Sequence, residues 1–234
     1  MRRSSKGFGL IEIMVAVVLG LVVTLGIIQI FTAARATYQS QNAAASMQED
    51  ARFVLSKLVQ EIRMAGTYGC LSFNNYAPVA PAIAWPVALD NPVLWDNANN
   101  TLTLVTTDVG FTGGAPTWTI ISDCRTNTQL YAGTRAPLAG ETAFPLRQLV
   151  YTLNGTDLTI RFGAGGNAQP LLQNVSRFVV TFGMAGDPMS YTPTINVANA
   201  ADIRSIRIEL TLQDPNNRVR EQRYSVVAHV RNRF

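Results

Sequence analysis

Arg2-Arg3-Ser4-Ser5-Lys6-Gly7-Phe8-Gly9-Leu10-Ile11-Glu12 runs straight into an apolar segment that continues to Ala34. Three cations precede a glycine and an aromatic residue, and one carboxylate follows inside sequence otherwise suited to lipid. A lone acid at membrane depth costs roughly 2.5 to 3.5 kcal/mol on insertion scales, so a partner for Glu12 is expected. Cleavage after Gly7 would create one. The new ammonium on Phe8 would lie one helical turn from Glu12, or a neighbouring copy would supply it. The cations hold their end of the segment in the cytoplasm and send the remainder outward.

Two plainer readings compete for this stretch. A secretory signal peptide would use Ala34-Arg35-Ala36 as its cleavage site, but the apolar run from Ile13 to Phe31 exceeds the usual 7 to 15 residues, and Glu12 would have no purpose there. A single membrane anchor explains the length, since about 20 apolar residues cross a bilayer, yet leaves Glu12 unpaired. Gly7-Phe8-Gly9-Leu10-Ile11-Glu12 ahead of a long apolar helix resembles the class III signal of type IV pilins and pseudopilins. The resemblance implies cleavage by a prepilin peptidase between Gly7 and Phe8, N-methylation of Phe8, and a filament-docking role for Glu12.

A chain of 234 residues with 47% apolar content has enough material for an anchor and one folded domain. Its pI near 9.3 is misleading as a sign of nucleic-acid binding. Arg2, Arg3 and Lys6 belong to the leader, and without them 16 basic side chains face 15 acidic ones. Nucleic acid is therefore not an expected partner. Cys70 and Cys124 lack C-x-x-C or metal-ligand spacing. In an exported domain one disulfide is expected of them; two separate buried thiols are the alternative.

Residues 8–65 contain no proline and few glycines, which predicts one long helix. Residues 8–34 form its apolar, membrane-embedded part. Residues 35–66 turn amphipathic, with Met47, Ala51, Val54, Leu55, Leu58, Val59 and Ile62 at three and four residue steps. This face should lie on a globular domain, 67–234. Gly66 and Gly69 predict a left-handed C-terminal cap. Residues 70–100 read as a long loop holding a helical turn or edge strand, pinned by Trp85 and Trp95.

Beyond this loop the pattern is β. Thr101 to Val105, Thr117 to Ile121, and Phe178, Val180 and Phe182 mark strands. Leu149 to Leu153 and Leu158 to Phe162 flank a hairpin with Asn154-Gly155 near its tip. Ile206 to Leu212 alternates against Tyr224 to Val230 across Asp214-Pro215-Asn216-Asn217. Six or seven strands are expected, in one mostly antiparallel sheet or two small ones, giving an α+β fold.

Catalytic signals are nearly absent, so no enzyme, cofactor or metal site is expected. His229 alone cannot build an H-E-x-x-H site, and neither a G-x-S-x-G elbow nor a P-loop occurs. Arg204, Arg207, Arg218, Arg220, Arg223, Arg231 and Arg233 interleave with Asp202, Glu209, Asp214 and Glu221, the pattern of a solvated, salt-bridged sheet face.

Gln48-Glu49-Asp50-Ala51-Arg52-Phe53-Val54 and Glu61-Ile62-Arg63-Met64-Ala65-Gly66-Thr67-Tyr68-Gly69-Cys70 also resemble PilW-type minor pilins and, more distantly, the J-type minor pseudopilin of type II secretion. This implies a type IV pilin-like fold and a subunit that primes filament assembly at the tip. Implied partners are other minor pilins, the major pilin, the prepilin peptidase, the inner-membrane assembly platform and a tip adhesin. The implied location is the inner membrane of a Gram-negative cell with the domain in the periplasm, then the pilus tip. A secretion pseudopilin and a DNA-binding competence pilin are the alternatives. Major pilins carry a proline in the lipid helix; here Gly20 and Gly26 are its only weak points.

Overall fold

A single helix, α1 (Leu10–Met64), dominates the computed structural model, which describes residues 7, 9–70, 77–108, 114–163, 165–196 and 199–230. At 1.5 Å per residue it is about 82 Å long. Gly20 and Gly26 stand in open surroundings and do not interrupt it. Every residue from 10 to 39 is exposed, whereas Ala43, Met47, Ala51, Val54, Leu55, Leu58 and Ile62 are buried. That spacing keeps the buried side chains on one stripe, with Arg52 and Arg63 outside it.

The helix stops differently from the expected cap. Ala65 is extended (φ −58°, ψ 132°), Gly66 has φ 78°, and Thr67 N–H donates to Met64 O at 3.1 Å. These are the features of a type II turn, which needs glycine at its third position. Gly66 N–H goes to Val105 O at 3.1 Å instead of to a helix carbonyl. The sheet therefore captures the chain as it leaves the helix.

Two antiparallel sheets follow. The first holds β1 (Val93–Asp96), β2 (Thr101–Thr107), β3 (Trp118–Ser122), β4 (Thr128–Ala132), β5 (Thr142–Asn154), β6 (Asp157–Phe162) and β7 (Gln169–Leu172). Its order is β1-β2-β5-β3-β4, with β6 beside β5 and β7 beside β6. Strand β5 is long enough to take β3 along 142–146 and β6 along 149–154. The second sheet, β8 (Val175–Met184), β9 (Ser190–Thr192), β10 (Ile203–Leu212) and β11 (Gln222–His229), has the order β11-β10-β8-β9. The eleven strands among the described residues exceed the expected number because β1, β4, β7 and β9 are only three to five residues long. Runs this short show no readable alternation, and β7 even contains Pro170, tolerated on an edge.

In the β5–β6 hairpin, Asn154 pairs with Asp157, so the two loop residues are Gly155 and Thr156. Glycine at the first of them, with φ 60°, fits a type II′ turn. The main core joins the helix stripe to Leu102, Leu104, Leu149 and Tyr151 of the first sheet and to Phe178, Val180, Ile206 and Ile208 of the second. Trp95 crosses between sheets, its ring edge-on to Phe178 at 5.7 Å. A second core of Tyr68, Leu89, Val105, Ile120, Leu130 and Leu146 lies on the opposite side of the first sheet. The 77–92 segment, including the short helix α2 (Val87–Asp90), covers it. Trp85 sits edge-on to Tyr68 and donates from Nε1 to Asp90 Oδ1 at 2.8 Å. Both tryptophans thus anchor the loop.

Leu58 lies in the buried stripe, and Leu58→Ala should destabilise the domain by about 3 kcal/mol through lost burial and a residual cavity. Phe53 is exposed on the same helix, so Phe53→Ala should change stability by less than about 0.5 kcal/mol. Urea unfolding followed by circular dichroism measures both.

Candidate functional site

The expected processing junction is partly in view. Gly7 is exposed, while Phe8, its methylation and its amine lie outside the described residues. Gly9 precedes the first helical turn, and Glu12 N–H and Ile13 N–H donate to Gly9 O at 3.1 and 3.3 Å. Gly9 N–H in turn donates to Glu12 Oε2 at 3.3 Å. In the single chain the Glu12 carboxylate therefore caps its own helix. An acid in this first turn also complements the positive end of the helix dipole.

On both sides of Glu12 the helix surface is apolar and open. Leu10, Ile11 and Ile30 are more than 70% exposed, far beyond what a soluble domain leaves uncovered in one continuous patch. The two threonine hydroxyls within the run bond internally: Thr24 Oγ1 donates to Gly20 O at 2.7 Å and Thr32 Oγ1 to Gln29 O at 2.9 Å. That satisfies each hydroxyl without any external partner, as an apolar medium requires. Thr24 also occupies the carbonyl of Gly20, one of the two weak points in the helix.

The lower half of the helix is locked to the domain by polar contacts at its margins. Lys57 Nζ lies 3.0 Å from Glu61 Oε1, and Thr106 Oγ1 donates to Glu61 Oε2 at 3.3 Å, joining α1 to β2. Burial, with the Glu61 charge adding to it, pushes the nearby Tyr151 phenol well up. Arg147 Nε sits 2.7 Å from Asp108 Oδ2, and Arg147 Nη2 donates to Gly114 O at 2.6 Å. Sequence reading did not single out this buried pair. Arg147 lies in phase with Leu149 and Tyr151 on β5, and a cation among apolar in-facing positions was the available signal.

Cys70 and Cys124 are joined in a disulfide with Cα atoms 5.4 Å apart. It ties the chain leaving α1 to the β3–β4 hairpin. Cys124 adopts φ 56°, and its N–H donates to Ser122 Oγ at 3.0 Å. In the same loop Asp123 accepts backbone N–H bonds from Asn127, Arg125 and Thr126, and these hold its carboxyl well below the usual range.

The arginine-rich C-terminal strands carry ion pairs. Arg218 Nε and Nη2 donate to Asp214 Oδ2 and Oδ1 at 2.9 and 2.7 Å. This fork, with backbone N–H bonds from Arg218 and Asn216, depresses the Asp214 carboxyl strongly. Arg223 pairs with Glu209, and Arg207 stacks on the Tyr191 ring at 4.1 Å. Arg231 and Arg233 lie outside the described residues. Ser40 Oγ donates to Arg218 O at 3.1 Å, so the Asp214 turn braces α1 where its exposed part ends. His229 is exposed on β11, and among the described residues no cluster of His, Cys, Asp and Glu could hold a metal ion.

Replacing both cysteines by serine releases a cross-link spanning 54 residues, and chemical denaturation should show a loss of about 4 kcal/mol. Acid should weaken the Asp123 and Asp214 turns in a defined direction. Their folded pKa values are depressed, so their contribution is complete above the unfolded carboxylate value of about 3.9 and is lost as pH falls below it. The melting temperature should therefore drop below about pH 4, and Asp214→Asn should flatten that drop.

The N-terminal segment matches the family model described as "Prokaryotic N-terminal methylation motif" over residues 2–28. No curated protein matches the chain. The matched motif, the long apolar helix and the antiparallel β domain support a type IV pilin-like protein, consistent with membrane anchoring and a pilus.

Proposed function

We propose that the chain is a minor pilin of the PilW type, a structural subunit that primes assembly at the tip of a type IV pilus. One observation carries the reading: an apolar half-helix, exposed at every residue from 10 to 39, is continuous with a half that is packed on a β domain. Such a rod needs a medium of lipid or of other apolar helices along the first half only. The methylation motif over residues 2–28 supplies a route between the two.

A prepilin peptidase hydrolyses the Gly7–Phe8 peptide bond, and the released Phe8 amine takes up a proton. Methylation at nitrogen keeps this charge. Glu12, held in the single chain by its own helix terminus, follows that amine by four residues in the sequence and neutralises it or the amine of a neighbour. The helices then bundle with no lone anion in the apolar interior. The domain, braced at Ser40 and Thr106, stays outside the bundle and meets the other minor pilins.

Mass spectrometry of the protein from native membranes should find an N-terminal N-methylated Phe8; a mature chain beginning elsewhere overturns the reading. Glu12→Val protein should be cleaved and inserted normally yet fail to restore filaments in a deletion strain, and normal filaments would remove Glu12 from docking.

A further inference from the structure

Strand β11 is the outer strand of the second sheet, and no other described strand pairs with its far edge. One hydrogen bond fixes the direction of its backbone groups: Val230 N–H donates to Arg204 O at 3.1 Å. The β10–β11 register runs from Ser205–His229 to Leu212–Gln222 without a shift. In an antiparallel ladder, residues that bond the neighbouring strand alternate with residues that turn away from it. Tyr224, Val226 and Ala228 therefore bond β10, while Arg223, Ser225, Val227 and His229 direct their N–H and C=O groups outward. All four of the latter are exposed. Proteins commonly blunt such an edge with proline or a bulge, and β11 has neither.

Between this strand and α1 lies a groove of about 880 Å³. Leu55 and Val59 of the helix and Tyr224 and Val226 of the strand give it an apolar lining. Its charged lining is Arg52, Arg63 and Arg223, with no carboxylate among the lining residues. Glu209 meets Arg223 from β10. An open strand edge beside an apolar groove with cations of one sign suits a peptide in extended form. Main-chain bonds to the edge would give affinity, and alternate side chains would give selectivity.

We propose that this groove binds an acidic, extended segment of a partner protein, which joins β11 as an additional strand. On the face of the added strand toward α1, apolar side chains pack on Leu55 and Val59, and carboxylates that take turns with them on this same face reach Arg52. Charge complementarity selects an acidic partner over a basic one. The site uses only the domain-packed half of α1 and does not depend on the exposed half or on any role in a filament.

The probe is a fluorescein-labelled peptide of about eight residues in which valine and glutamate take turns at every second position with threonine between them, titrated with the full chain in detergent and read by anisotropy. Saturable binding is expected, weakened at least about tenfold by Arg52→Glu. Ser225→Pro deletes only an outward N–H, leaves the β10 ladder intact and should abolish binding. Should that variant fail to fold, the same peptide N-methylated at every residue tests the backbone bonds on the unaltered protein, and it should not bind. Undiminished binding by either the variant or the methylated peptide overturns strand addition. Equal binding of the same peptide with lysine in place of glutamate, or displacement of the acidic peptide by duplex DNA, overturns the acidic partner. Self-association lost in Ser225→Pro assigns the edge to a second copy and overturns it equally.

Discussion

The structure depends on the burial of one helical stripe, Ala51, Val54, Leu58 and Ile62, against both sheets at once. Fully buried aliphatic side chains contribute about 1.5 to 3 kcal/mol each, so this stripe is a large share of what a domain of this size can spare. Neither sheet has the stripe to itself. Leu102 and Leu104 approach it from the first sheet, and Ile206 and Ile208 from the second, so the helix also closes the seam between them. Removing it would expose the inner faces of both sheets together.

That burial has to hold against leverage. The exposed half of α1 extends some 45 Å beyond the domain at the helical rise, and any force on it acts at the mount. Directional contacts surround the stripe where the lever meets the domain and where the chain leaves it. Ser40 meets the Arg218 carbonyl at the upper margin. At the lower margin Glu61 meets Thr106, Gly66 meets Val105, and the Cys70–Cys124 bond follows within a few residues. Hydrophobic packing gives the helix its place, and these bonds limit sliding and rotation.

Glu12 belongs to a different balance. Its carboxylate closes the first turn on Gly9 N–H, which satisfies the helix end in a chain standing alone. The same carboxylate is the one acidic group in an apolar surface, so a stronger cation nearby can recruit it without breaking the helix, whose next bonds remain in place. A first-turn acid thus serves both the isolated and the associated state. The groove beside β11 shows a comparable economy, because the residues that present apolar surface there also bond β10 through their backbones.

The sequence by itself determined the rod, the position where its surface changes from all-round apolar to amphipathic, the long hairpins and the processing motif. These rest on local periodicity and on single residues such as Gly7, Phe8 and Glu12, and local rules act before any tertiary contact forms. Tertiary structure alone decided the division into two sheets, the second core under residues 77–92, the type II turn at Gly66, the Arg147–Asp108 pair and the open edge of β11. Each requires partners brought together across tens of residues, or strands too short to show a period. For such features the chain's spelling carries no distance information, and packing supplies it.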